Sequence, residues 1–62
     1  MRIRFTYFNK ITEKVESVYI TIDKFDHSNE SFDNAENAIF NHLYENKSYN
    51  NEIKLINYRI LN

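Results

Sequence analysis

The first eight residues alternate. Ile3, Phe5 and Tyr7 share one parity while Arg2, Arg4 and Thr6 share the other, and a period of two is what a strand buried on one face requires. From Val15 to Ile22 the chain is again β-branched and aromatic, with Val18, Ile20 and Ile22 on one side and Ser17, Tyr19 and Thr21 on the other, which predicts a second strand. The link from Asn9 to Glu13 is polar apart from Ile11 and short enough to join the two strands as an antiparallel hairpin. With no glycine in the chain, Asn9 is the residue expected to take a left-handed conformation there.

Periodicity lapses from Lys24 to Ser31, which reads as a connection with Phe25 plugging one end of the core. Asp33 and Glu36 then have the spacing of a capping box, in which each side chain bonds the other's backbone amide. A helix over about 33–46 is predicted from that point. Phe32, Ala35, Ile39 and Leu43 lie on one face of it beside Phe40, with Asn34, Asn37, Asn41 and Glu45 elsewhere. Lys47 would complement the dipole at the helix end. The closing apolar run, Ile53 to Ile60, predicts a third strand. Its Ile56, Tyr58 and Ile60 are assigned to the helix side, because the other parity would bury Asn57 and Arg59.

The fold class is therefore α+β: a two-layer β-β-α-β domain spanning 1–62, with a three-stranded antiparallel or mixed sheet in order 2-1-3 and one helix on one face. A right-handed crossover through the helix sets that order. Nothing remains in the sequence to cover the other face.

Size and composition narrow what such a domain can do. A chain of 62 residues buries only about 60% of its unfolded surface, and with no Cys it has no disulfide or thiolate metal site to reinforce the core. Five Phe and five Tyr supply large apolar areas instead. The abundance of Asn, Ile, Phe, Tyr and Lys, with no Gly or Pro, is the signature of AT-rich coding sequence and points to a low-GC bacterium or one of its phages. No charged-then-apolar leader and no apolar run of about 20 residues appears, so a cytoplasmic protein of a bacterial host is expected, with no membrane partner.

Net charge is −1, but it is unevenly spread: residues 1–20 carry +2, residues 21–45 carry −5 and the remainder carries +2. With Ile3, Phe5 and Tyr7 turned to the helix, the open sheet face gathers Arg2, Arg4, Phe8, Tyr19, Leu55 and Arg59, which includes every arginine of the chain. Arginine with aromatic groups is the mixture that interface cores are enriched in. The plain alternative is a solvated face with cross-strand pairs such as Arg4 with Glu16 or Ser17. A second candidate surface is the acidic pole formed by Asp23, Asp26, Glu30, Asp33 and Glu36 around the helix entry, where acidic residues also serve the helix dipole.

Catalytic chemistry finds little support. His27 near Asp23 and Asp26, and His42 near Glu45 or Asp33, have no recognised ligand spacing. A phosphate-cradling glycine loop is impossible here, and no Ser-His-Asp set with an oxyanion nest is visible. The chain is expected to be a non-enzymatic protein-binding module without cofactor or metal. Its composition and size suggest a phage or mobile-element inhibitor that occludes a host or defence protein, such as a nucleic-acid-binding nuclease complex. A homodimer through the open sheet face is a further expectation. The alternative is a single-stranded nucleic-acid binder that stacks bases on the same face, although glycine-spaced stacking motifs and a net positive field are both missing.

Overall fold

A computed structural model of the protein describes residues 1–45 and 51–62. Its elements run β1 (Arg2–Asn9), β2 (Lys14–Thr21), α1 (Asn29–Tyr44) and β3 (Ile53–Ile60). The three strands form one sheet in order β2-β1-β3, with both neighbours antiparallel to β1. The alternation of β1 has the expected result: Ile3, Phe5, Tyr7 and Asn9 are buried while Arg2 and Arg4 are exposed. Ile3, Phe5 and Tyr7 pack with Ala35, Ile39 and Phe40 of α1, with Phe25 from the connection and with Ile53 of β3. Each large side chain fully buried in this way is worth about 1.5–3 kcal/mol.

Phe25 closes one end of the core at the centre of an aromatic cluster. Its ring centroid lies 4.8 Å from that of Tyr58, 5.2 Å from His27, 5.6 Å from Phe32 and 5.9 Å from Phe5, all edge-on. Edge-to-face pairs in this range contribute beyond their buried area, which helps a core of this size.

The helix begins earlier than the capping-box spacing predicts. Ser28 is the N-cap and accepts the Ser31 N–H at 3.1 Å, so Asp33 falls inside the helix instead of heading it. Ser28 is preferred because Asp26 supports it: one Asp26 oxygen accepts the Ser28 N–H, the Ser28 hydroxyl and the Ser31 hydroxyl. At the other end Glu45 takes the left-handed C-cap conformation and donates its N–H to the Asn41 carbonyl at 2.8 Å. The expected role of Lys47 at the helix end lies outside the described residues.

The hairpin also departs from expectation in its details. Asn9 is not the left-handed residue; Glu13 is, at φ 58°. Asn9 is instead buried and organises the turn, its Oδ1 accepting the Ile11 N–H at 2.9 Å while its Nδ2 donates to Glu16 at 3.1 Å and to the Tyr44 hydroxyl at 2.9 Å.

The third strand resolves its two competing faces with a β-bulge. Thr6 pairs with Asn57, but the next residue, Tyr7, pairs with Leu55. Ile56 is the extra residue, and 57% of it is exposed. The parity flips across it, so Ile53 and Leu55 face the helix on one side of the bulge and Tyr58 does so on the other. Strict alternation places Ile56 in the core, but it is exposed; it places Leu55 on the open face, but Leu55 packs against the core.

Candidate functional site

The uncovered sheet face is laid out by strand register. Beginning at the chain termini, Thr21, Arg2 and Leu61 form one row across the sheet, and Tyr19, Arg4 and Arg59 form the next. Ser17, Thr6 and Asn57 follow, then Val15, Phe8 and Lys54. The residues opposite Arg4 are thus an aromatic ring and a second guanidinium. Like charges directly opposite on a sheet are unfavourable for folding, so the Arg4 and Arg59 pair is not there for stability.

Arg2, Arg4, Arg59 and Lys54 put four positive charges on these rows, and none of the twelve positions is acidic. Glu16, the partner that would neutralise Arg4, is on the other face of the sheet. It lies opposite Tyr7 and is held there by Asn9 Nδ2 and by the Thr12 hydroxyl at 3.0 Å. These bonds keep its carboxyl below the ordinary glutamate range, the Asn9 bond contributing most.

Tyr19 is 54% exposed, and the Arg2 guanidinium sits 5.1 Å from its ring centroid, within the range of a cation–π contact. Phe8 is only half-buried between Val15 and Lys54. The centre of the face is polar, with the Thr6 and Ser17 hydroxyls 3.3 Å apart. Of the residues the sequence assigns to this surface, the structure brings Arg2, Arg4, Phe8, Tyr19 and Arg59 together and removes Leu55. It adds Lys54, which sequence reasoning missed because strict alternation carries Lys54 to the helix side. The signal was present: Ile53 and Leu55, then Tyr58 and Ile60, are two apolar pairs separated by an odd step.

Of the acidic residues around the helix entry, Asp26 and Glu30 line one shallow pocket with Lys24, Ser28, Ser31 and Asn34. Asp26 is occupied by the two serine hydroxyls and the Ser28 amide, and the same bonds hold its carboxyl well below the usual aspartate range. Glu36 turns to the sheet, where its Oε2 accepts the Leu55 N–H at 2.8 Å. Asp23, Asp26, Glu30 and Asp33 are all exposed. Asp26 thus also orders the helix cap and Glu36 also satisfies the strand edge, while Asp23 lies in the connection and Glu30 and Asp33 on the helix. The layers are also polar in charge, since α1 carries Glu30, Asp33 and Glu36 without a single Lys or Arg.

His27 sits at φ 64° and hydrogen-bonds the Tyr58 hydroxyl through Nδ1, while His42 lies exposed in the last turn of α1. Among the described residues, no group of three or more His, Cys, Asp and Glu side chains is placed to hold a metal ion. No helix among them is long and apolar enough to cross a membrane. A groove of about 330 Å³ runs between α1 and the outer side of β3, lined by Phe32, Glu36, Leu55, Ile56 and Tyr58. Strict alternation does not predict it, since its lining includes Ile56, the extra residue of the bulge.

Comparisons with known protein families, with curated proteins and with solved structures find no match to this chain.

Proposed function

We propose that this chain is a non-enzymatic binding module that docks through its open sheet face onto a protein surface presenting acidic side chains. The row Tyr19, Arg4, Arg59, flanked by Arg2 and Lys54 with no acid among them, is the observation that carries this reading. Charge of one sign at the centre of a face steers association and fixes partner choice, and arginine and tyrosine are the residues on which binding energy concentrates. The same charge weighs against two copies meeting on this face, where arginine would oppose arginine. Within this reading, the small size and AT-biased composition favour a phage or mobile-element product that occludes a host or defence protein.

A second reading, nucleic acid, has one observation in its favour: the local positive field is stronger than the net charge of −1 implies. Base stacking fits the face poorly, because its most exposed aromatic ring, Tyr19, is already engaged by Arg2. Titration with labelled single-stranded and duplex oligonucleotides at about 50 mM salt, where phosphate contacts are strongest, separates the two readings. Saturable, salt-sensitive binding would favour nucleic acid.

The test of the main reading is affinity capture from a bacterial lysate with wild type, with Arg4→Glu/Arg59→Glu and with Glu30→Lys/Asp33→Lys. A protein held by the wild type and the helix variant but lost from the sheet variant is expected. Retention by the sheet variant would remove the open face from the mechanism.

A further inference from the structure

The two outer edges of the sheet are finished differently. In an antiparallel sheet successive residues point their backbone groups to opposite sides. The Ile22 N–H donates to the Met1 carbonyl and the Leu61 N–H to the Arg2 carbonyl, each at 2.9 Å. Even-numbered residues of β2 therefore bond β1, and Val15, Ser17, Tyr19 and Thr21 turn their N–H and C=O groups outward. On β3 the bulge moves the outward set to Leu55 and, beyond Ile56, to Tyr58 and Ile60.

The β3 edge is closed by side chains. Glu36 accepts the Leu55 N–H and Asn57 Oδ1 accepts the Tyr58 N–H, both at 2.8 Å, and the bulge between them breaks the flat template. These are the devices by which sheets avoid edge-to-edge pairing. The β2 edge has none of them. Among the described residues no side chain accepts from its outward amides, its register with β1 is unbroken, and Ser17 to Thr21 contains no charge.

We propose that β2 is the edge through which two copies of this chain pair, antiparallel about a two-fold axis normal to the sheet, giving a six-stranded sheet in order β3-β1-β2-β2-β1-β3. A two-fold contact requires an edge complementary to itself. With Val18 on the axis, Val15 of each copy meets Thr21 of the other and Ser17 meets Tyr19, so all four outward residues find outward partners. The same register opposes no like charges, since Glu16 meets Ile20 and Lys14 meets Ile22. On the helix side, Val18, Ile20 and Ile22 are only partly buried because α1 approaches β3 more closely than β2. Pairing would extend the apolar layer between the two helices. It would also place both arginine faces on one side of the sheet, doubling the basic surface. This pairing stands independently of what that surface binds.

Sedimentation of the full chain from micromolar to near-millimolar concentration, with amide hydrogen exchange over the same range, tests it. The expected result is a rise from 7.6 kDa to twice that mass, with exchange at Ser17, Tyr19 and Thr21 slowing as the dimer fills. Ser17→Pro should remain monomeric with an unchanged circular dichroism spectrum, because proline is tolerated on an edge strand where the N–H points outward. A monomer throughout with fast exchange at those amides would overturn the proposal, as would a dimer that persists in Ser17→Pro. Should that variant fail to fold, the wild-type exchange decides alone: concentration-dependent protection supports the pairing, and its absence refutes it.

Discussion

Asn9 shows how much a single buried amide can organise. It is 1% exposed, yet it bonds two turn amides, a carboxylate and a phenol, tying the hairpin to the end of α1. Asn9→Ala would leave these partners to find water in a partly closed space, and a loss of about 2–3 kcal/mol is expected. Urea unfolding should show a lower midpoint with an unchanged slope. Two titrating groups make further predictions. Asp26 has its carboxyl lowered by the Ser28 and Ser31 bonds. The stability it contributes is therefore fully present above the ordinary aspartate value of 3.8 and is lost as pH falls from there through the folded value. Asp26→Asn should flatten that acid limb in pH-dependent unfolding. Tyr7 behaves in the opposite sense: burial, then the neighbouring Glu16, pushes its hydroxyl up to about 12 from 10.0. Its contribution is full below 10.0 and lost as pH rises through about 12, and an ultraviolet titration should show a late phenol ionisation that Tyr7→Phe removes.

The elements were legible in the sequence wherever side-chain period alone decides them. The alternation of Ile3, Phe5 and Tyr7 marked the central strand, and the β-branched run through Ile20 marked its partner. The helix start was not legible in the same way. Asp33 with Glu36 and Ser28 with Ser31 both look like caps, and the choice falls to Ser28 because Asp26, two residues upstream, orders it. Such support depends on loop conformation and leaves no period to read. Ser28→Ala should cost about 1 kcal/mol, seen as a fall in Tm of about 4–8 °C for a domain of this size. The lack of glycine has a measurable consequence as well, since Glu13, His27 and Glu45 all adopt positive φ. Glu13→Gly should raise stability by about 0.5–1 kcal/mol, the strain relieved exceeding the entropy added to the unfolded chain. The bulge at Ile56 belongs to this scale too. One inserted residue lets Ile53 and Leu55 join Tyr58 on the core side, and the price is an exposed isoleucine.

At the scale of the whole molecule, the basic, acidic and basic thirds of the chain become two layers of opposite charge. Net charge conceals this. Five of the six residues read as the open-face site are where the sequence put them, because β1 and β2 keep strict alternation; Leu55 is displaced and Lys54 gained, because β3 does not. Hydrogen bonding, which spacing does not reveal, gives Asp26 a capping role and turns Glu36 to the sheet, while Asp23, Asp26, Glu30 and Asp33 stay exposed. If the arginine row serves binding at the expense of the fold, stability and function should separate. Arg59→Glu replaces a like-charge pair with an opposite one across from Arg4 and should raise stability by about 0.2–1 kcal/mol while weakening partner capture.

The most direct measurement is to titrate the captured partner into isotopically labelled protein and map the amide resonances that move. Perturbations centred on Arg2, Arg4, Thr6, Tyr19 and Arg59, with α1 silent, are the predicted result. Perturbations confined to Glu30, Asp33 and their helical neighbours, with the sheet face unmoved, would contradict the assignment of the open face as the working surface.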